Sequence, residues 1–522
     1  MIYRTLLKII LGSRCATGVS LLALVLLPGG CATHLEPRPL PESLSLPPDP
    51  ASVAWRPLRD NLPGDGQGSW FDVQAAGPEA LSWRLAMIDT AATTLDAQYF
   101  LWKDDAVGSL LLERVLQAAD RGVRVRLLLD DSFLSGVDDL MLAVDAHPQV
   151  EMRIFNPFEV RSDSMALRYL ENLNDNARIN HRMHNKLLIA DSEVAIIGGR
   201  NIADEYFGFD REMNFRTFDV LATGNVLPQV STSFDSYWNS GWAWPVTVVD
   251  HRQGTLAQLD QLRDRLRDNA AILDPWLADA GVAQDALPGR WAGLARRLLP
   301  GSAQLHQDDP HIESELPVQA AGLAVDYLGK SREDVMSISA YLIPTDAVLK
   351  LAAELTQQGV RIRALTNSLA SNNHIPAHTA YRHRRRQIVE AGVELHEMRP
   401  DAPGRAGFEA PGFTAGHVGL HAKLLVLDRR YSFVGTINAD PRSMILNTEV
   451  SMLIDSPQVA QRILEAFAPD FQPQNSWRVQ LNEDGDLGWH SADGVLERQP
   501  AGSPVRRMSD FFFGLLPIDE QM

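Results

Sequence analysis

Two histidines, His184 and His421, each stand two residues before a lysine, Lys186 or Lys423, and seven before an aspartate, Asp191 or Asp428. An imidazole can give or take a proton near neutral pH and can also attack an electrophile directly. A lysine beside it supplies positive charge for an anionic substrate. Residues two apart in a strand face the same side, so each His and Lys is expected to project together from a strand that continues as the apolar runs 187–190 and 424–427. After six further residues each aspartate is followed by Gly198 and Gly199, or by Gly435 and Thr436, and then by Asn201 or Asn438. Small residues there let the backbone and an asparagine amide approach a bound phosphate closely. One His-x-Lys would mean little; two complete copies at one spacing form a matched constellation.

The elements that must position these groups are also repeated. The stretch 122–128 is echoed at 359–365, and the two pairs, like the two histidines, are 237 residues apart. Looser echoes pair 97–101 with 339–343 and 150–153 with 393–396. Strand-like patterns at 94–102, 123–129 and 150–155 alternate with an amphipathic helix over 108–120, which is an α/β pattern. A duplicated α/β half is therefore expected, with the halves at 67–239 and 321–470. Between them, 240–320 reads as a helical connector, with helical periodicity at 256–273 and 291–299. From 471 to 522 the pattern turns to short strands around 477–481 and 487–489, with Asp484 and Gly485 as a turn signal.

The spacing His-x-Lys-x4-Asp-x6-Gly-[Gly/Thr]-x-Asn, present twice, resembles the HKD signature of the phospholipase D superfamily. The wording at 182–186, 198–202, 155–158, 366–369 and 438–443 is similar to its bacterial cardiolipin synthase branch. The resemblance covers most of residues 70–470. It implies two fused phospholipase D-type halves, mixed sheets flanked by helices, related by a pseudo-twofold axis and sharing one active site. It also implies a phosphatidyltransferase that uses a phosphohistidine intermediate, with His184 as nucleophile and His421 as general acid and then base; the reverse assignment stays open. Lys186, Lys423, Asn201, Asn438, Gly199 and Thr436 would then bind the phosphoryl group, so that no metal or other cofactor is required. Asp219 and Glu449 are the expected orienting acceptors for the histidines. Asp191 and Asp428 are expected to support the site from behind. Substrates on this reading are phospholipids, phosphatidylglycerol and possibly phosphatidylethanolamine, and the rival outcomes are hydrolysis to phosphatidic acid or a nuclease of the same superfamily.

The rest of the chain bears on where this chemistry happens. Arg4, Lys8 and Arg14 precede an apolar run, 19–27, that ends in Pro28, Gly29, Gly30 and Cys31. This reads as a lipoprotein signal peptide over 1–31 with Cys31 as the lipidated residue, or else as an uncleaved anchor. Either would place the protein on a membrane of a bacterial envelope. The Pro-rich stretch 32–66 is expected to be an extended tether. Cys15 and Cys31 are the only cysteines, so the body has neither a disulfide nor a cysteine metal site. A net charge of −18 argues against a nucleic-acid partner. The basic run 382–386 is either a solvated helical face or a contact for anionic headgroups, and the apolar 511–517 either packs on the core or meets a membrane.

Overall fold

The computed structural model describes residues 35–64, 68–311 and 319–513. Cys31, the segment before it and residues 514–517 lie outside the described residues. The chain falls into two units, Met1–Leu35 and Glu36–Met522, and the architecture below is that of the second. Among the described residues no helix is long and apolar enough to cross a membrane.

The first half contributes β1 (Ser69–Gln74), β2 (Thr94–Tyr99), β3 (Arg124–Asp130), β4 (Val150–Phe155), β5 (Leu187–Ala190), β6 (Val194–Gly198), β7 (Met213–Arg216), β8 (Asp219–Gly224) and β9 (Ala243–Pro245). The second contributes β10 (Leu299–Gln307), β11 (Asp334–Ser339), β12 (Arg361–Asn367), β13 (Glu394–Met398), β14 (His417–Leu420), β15 (Lys423–Leu427), β16 (Tyr431–Gly435) and β17 (Val450–Asp455). A terminal group follows: β18 (Ser476–Leu481), β19 (Leu487–Ser491) and β20 (Gly494–Leu496). The first half pairs in the order β4-β3-β2-β5-β6-β8-β1, and the second repeats it as β13-β12-β11-β15-β16-β17-β10. In each half three strands are parallel and the remainder antiparallel, so both sheets are mixed. β10 also pairs with β1, and with β9 added beside β4 and β18–β20 beside β13 the two sheets become one of 18 strands.

Local physics explains the repeat. Helix Ala106–Asp120 crosses from β2 to β3, capped where the Asp105 carboxylate accepts from the Gly108 amide. It buries Val107, Leu110, Leu111 and Val115 against the sheet, at helical spacing. Gly122 ends that crossover at φ +92° and Gly359 ends its counterpart at φ +91°, a conformation that other residues rarely adopt. The central strands are buried on both faces, which accounts for their continuous apolar runs.

Four expectations need correction. Residues 36–64 do not form a free tether. The Arg38 amide donates to the Gly241 carbonyl, the Ser45 amide to the Asp235 carboxylate, and Trp55 is fully buried with its indole N–H on Asp191. The connector 240–320 is helical over Leu256–Ala270, Asp274–Asp279 and Leu287–Ala295 but also contains β10. Alternating exposure along 299–305 marks β10 as a half-buried strand, and Pro300 and Gly301 dilute its signal in the sequence. The basic run is neither bare nor free: Arg382 pairs with Asp510, Arg384 with Asp346, Arg385 with Glu397 and Arg386 with Glu390. At the C-terminus, helix Pro504–Phe513 leaves Phe511 and Phe512 exposed rather than packed.

Candidate active site

The two motif histidines sit just outside their strands. β5 begins at Leu187 and β15 at Lys423, whereas His184 and His421 belong to segments that reach across to the other half. The His184 amide donates to the Thr448 carbonyl at 2.9 Å, and the His421 amide donates to the Arg216 carbonyl at 2.8 Å. β7 and β14 extend the second of these crossings as a short parallel ladder. Each histidine is thus fixed by the opposite half, which is why both halves are needed to build one site. The expectation that His and Lys share one strand face is replaced by a tighter arrangement. Each lysine folds back so that its ammonium donates to its own histidine's carbonyl, Lys186 at 2.5 Å and Lys423 at 2.8 Å.

The histidines are not equivalent. His184 Nδ1 lies 2.9 Å from a Glu449 carboxylate oxygen, and Phe100 stands edge-on to its ring at 5.0 Å. His421 has Lys423 Nζ at 2.8 Å from its Nδ1 and is walled by Tyr206 and Phe215. Asp219 reaches no histidine: its carboxylate is taken up by Arg84 at 2.7 Å, by Arg200 at 3.1 Å and by the Arg200 amide at 3.0 Å. The strand registers explain this. Gly198 faces Asp219 and Gly435 faces Ser451, so Asp219 corresponds to Ser451, and Glu449 corresponds to Thr217. Thr217 directs its hydroxyl to the His421 carbonyl at 3.5 Å. The orienting carboxylate exists once, on the His184 side.

The other motif residues divide by what they touch. Thr436, expected at the phosphate, donates its hydroxyl to Glu449 and holds that carboxylate in place. Gly199 packs so closely that a β-carbon would lie 3.1 Å from the His421 carbonyl. The side-chain oxygens of Asn201 and Asn438 are buried without a hydrogen-bond partner, and Asn201 Nδ2 donates to Tyr206 at 2.9 Å. Either end of such an amide can turn toward a phosphoryl group bound between the histidines. Asp191 accepts from the amides of Ala92, Thr93 and Thr94, and Asp428 from those of Arg332, Glu333 and Asp334. Both aspartates, and the residue after each, have positive φ in a tight turn. They shape the backbone and do not touch the histidines.

Burial shifts the titration of the whole cluster. Burial and then the two lysines push the His184 imidazole well below its usual range, and burial with Lys423, Lys186 and His184 does the same to His421. Burial brings Lys186 down to about 7 against the pull of Glu449, and burial with repulsion from Lys186 lowers Lys423 well below an ordinary lysine. Burial lifts Glu449 to about 7 despite Lys186 and the Thr436 hydroxyl. Asp219 is the exception: burial would raise it, yet Arg84 and Arg200 hold it below the usual carboxylate value. Such a cluster of buried basic groups around a single carboxylate suits an anionic ligand. Among the described residues no group of three or more His, Cys, Asp or Glu side chains is placed to hold a metal.

Sequence reasoning missed Arg84, Arg200, Phe100, Tyr206 and Trp55. Arg84 lies within the apolar stretch 81–88 and Arg200 between the motif glycines and Asn201, and charge inside an apolar or tightly turned segment was the available signal.

Comparison with known proteins agrees with this geometry. The family model described as "Cardiolipin synthase, PLD-like domain" matches residues 85–238 and 325–471. Cardiolipin synthase C of Escherichia coli (strain K12) is 34% identical over 456 residues, covering 84% of this chain and 93% of that protein. An uncharacterized protein of Helicobacter pylori (strain ATCC 700392 / 26695) is 32% identical over 421 residues, 79% of each chain. In fold the chain is similar to the crystal structure of phosphatidylserine synthase from Haemophilus influenzae Rd KW20, with a TM-score of 0.56 at 12% identity over 90% of this chain and 99% of that one. Two matched copies of the domain, one site assembled from both, and a relative alike along most of its length lead to one conclusion: the chain belongs to the cardiolipin synthase family of proteins with phospholipase D-like domains.

Proposed function

We propose that the protein transfers a phosphatidyl group from one phospholipid to a hydroxyl of another, making cardiolipin through a phosphohistidine. The carrying observation is the contact of His184 Nδ1 with Glu449, supplied by the opposite half. A proton on Nδ1 directed at that carboxylate leaves the Nε2 lone pair free to attack phosphorus. In the first step the Nε2–P bond forms, the P–O bond to the departing alcohol breaks, and His421 gives its proton to that oxygen. In the second step the acceptor hydroxyl loses its proton to His421, its oxygen bonds phosphorus and His184 is released. Lys186 and Lys423 offset the charge that grows on the phosphoryl oxygens. Burial and the lysines disfavour a charged His421, and the negative charge of a bound phosphodiester favours the protonated form that the first step needs.

Phosphatidylglycerol, with phosphatidylethanolamine as an alternative donor, is the substrate on this reading, and the anchor would be lipid on Cys31 in a bacterial envelope. A membrane surface suits the exposed apolar side chains of Phe133, Leu167, Leu170, Leu173 and Ile445. Phe133 packs on Phe100, which packs on His184, and the Leu446 carbonyl beside Ile445 meets His181, so these two stand on the His184 side of the site, while the leucines lie on and just after helix Met165–Glu171, whose Tyr169 packs on Phe158 beside Arg182. Product analysis of the purified protein with phosphatidylglycerol, with and without phosphatidylethanolamine, should give cardiolipin. Phosphatidic acid as the sole product would establish hydrolysis instead.

A further inference from the structure

The first half fills the space beside its motif with a buried polar cluster: Arg84, Tyr99, Arg200 and Asp219, joined by contacts of 2.7–3.5 Å. Strand pairing fixes what stands there in the second half. β2 pairs with β5 as β11 pairs with β15, which matches Tyr99 to Ser339, and the Asp191 and Asp428 bonds extend that same offset of 240 to the end of the preceding helix. Counted back along the helix, Arg84 becomes Ala324. Arg200 becomes Ile437 at the motif offset, and Asp219 becomes Ser451. All four replacements are small or apolar, and all four line one cavity of about 180 Å³. Where the first half is filled by two arginines, a tyrosine and a carboxylate, the second half is hollow.

The cavity runs from Lys423 and Asn438 at the catalytic centre to Leu349 and Ala352 on helix Asp346–Gln357. Beyond its mouth the wall is mostly aliphatic. A ligand that fits has an anionic phosphate at Lys423 and a hydrocarbon tail behind it. We propose that this cavity is an acyl site: it takes the first part of one fatty-acyl chain of the phospholipid whose phosphate is attacked, and so determines which lipid is productively bound. This rests on the phosphatidyltransferase reading given above. An apolar cavity near 150 Å³ accepts benzene, so 180 Å³ has room for about seven chain carbons. The asymmetry also sets the orientation of the substrate, because only one half can receive the tail.

The test measures kcat/KM on monomeric phosphatidylglycerols with acyl chains of four to twelve carbons, and on an acyl-free aryl phosphodiester. For the unaltered protein kcat/KM should rise about threefold to fourfold per methylene and level off at about seven carbons. Ala352→Phe and Ala324→Phe, which fill the cavity, should flatten that rise while changing turnover of the acyl-free ester less than twofold. A chain-length profile that is flat in the unaltered protein, or one unaffected by both substitutions, would overturn the acyl site and leave the transferase reading intact. Should either variant not fold, the profile of the unaltered protein still decides. Turnover of the acyl-free ester with none of any phosphatidylglycerol would overturn the transferase reading and the acyl site together.

Discussion

At the scale of residues, His184 and His421 look interchangeable in the sequence and are unlike in place. Glu449 orients one; the other faces Lys423 and aromatic walls. The sequence made the histidines and lysines legible because their spacing is repeated, and it misassigned Asp219 because resemblance of local wording hides a two-residue change of register. Only strand pairing shows that Glu449 matches Thr217. The buried bases of the site also fix a pH dependence. Both histidines and both lysines are held below their usual values, and a bound anion raises them again, so binding takes up protons. Inhibition by a non-titrating phosphodiester such as dimethyl phosphate should therefore strengthen as pH falls from 8.5 to 6.5, by up to about tenfold per pH unit for one proton taken up. An inhibition constant that does not change with pH would contradict the assignment of these charges.

At the scale of elements, the motif aspartates hold strands in place. Asp191 accepts from three backbone amides, the Thr93 hydroxyl and the Trp55 indole, which ties the N-terminal segment, the entry to β2 and the β5–β6 turn into one unit. Bonds to a buried carboxylate are each worth roughly 1.5–3 kcal/mol and do not add fully. Asp191→Ala is expected to lower unfolding stability by about 3–4 kcal/mol in denaturant titration while the folded fraction keeps its activity. Asp428→Ala, at a more exposed turn with three amides, should cost less. The strands of the first half were readable from apolar runs and turn glycines. β10 was not, because proline and glycine occupy two of its positions and its function is to close the sheet rather than to fill the core. The echo between 97–101 and 339–343 was likewise two residues out of register, an error that hid the match of Tyr99 to Ser339.

At the scale of the whole molecule, duplication supplies a frame and divergence supplies the chemistry. The two sheets share an order, meet through β1 and β10, and exchange backbone bonds at both histidines. On the proposed reading, the exposed apolar side chains would give this frame a direction, with the His184 side of the site toward a lipid surface. Leu170→Asp combined with Leu173→Asp should reduce turnover of lipid in vesicles by tenfold or more and leave an acyl-free phosphodiester unaffected, as both side chains are exposed. Equal loss on both substrates would remove the membrane-facing assignment. The repeat was visible in sequence, whereas this exposed apolar set was not, since isolated leucines carry no signal until the fold gathers them. The most direct test of the central claim is mass spectrometry of the protein quenched during turnover of phosphatidylglycerol. A phosphatidyl adduct on the peptide containing His184, absent in His184→Ala, is the expected result; an adduct confined to the His421 peptide, or full turnover by His184→Ala, would contradict it.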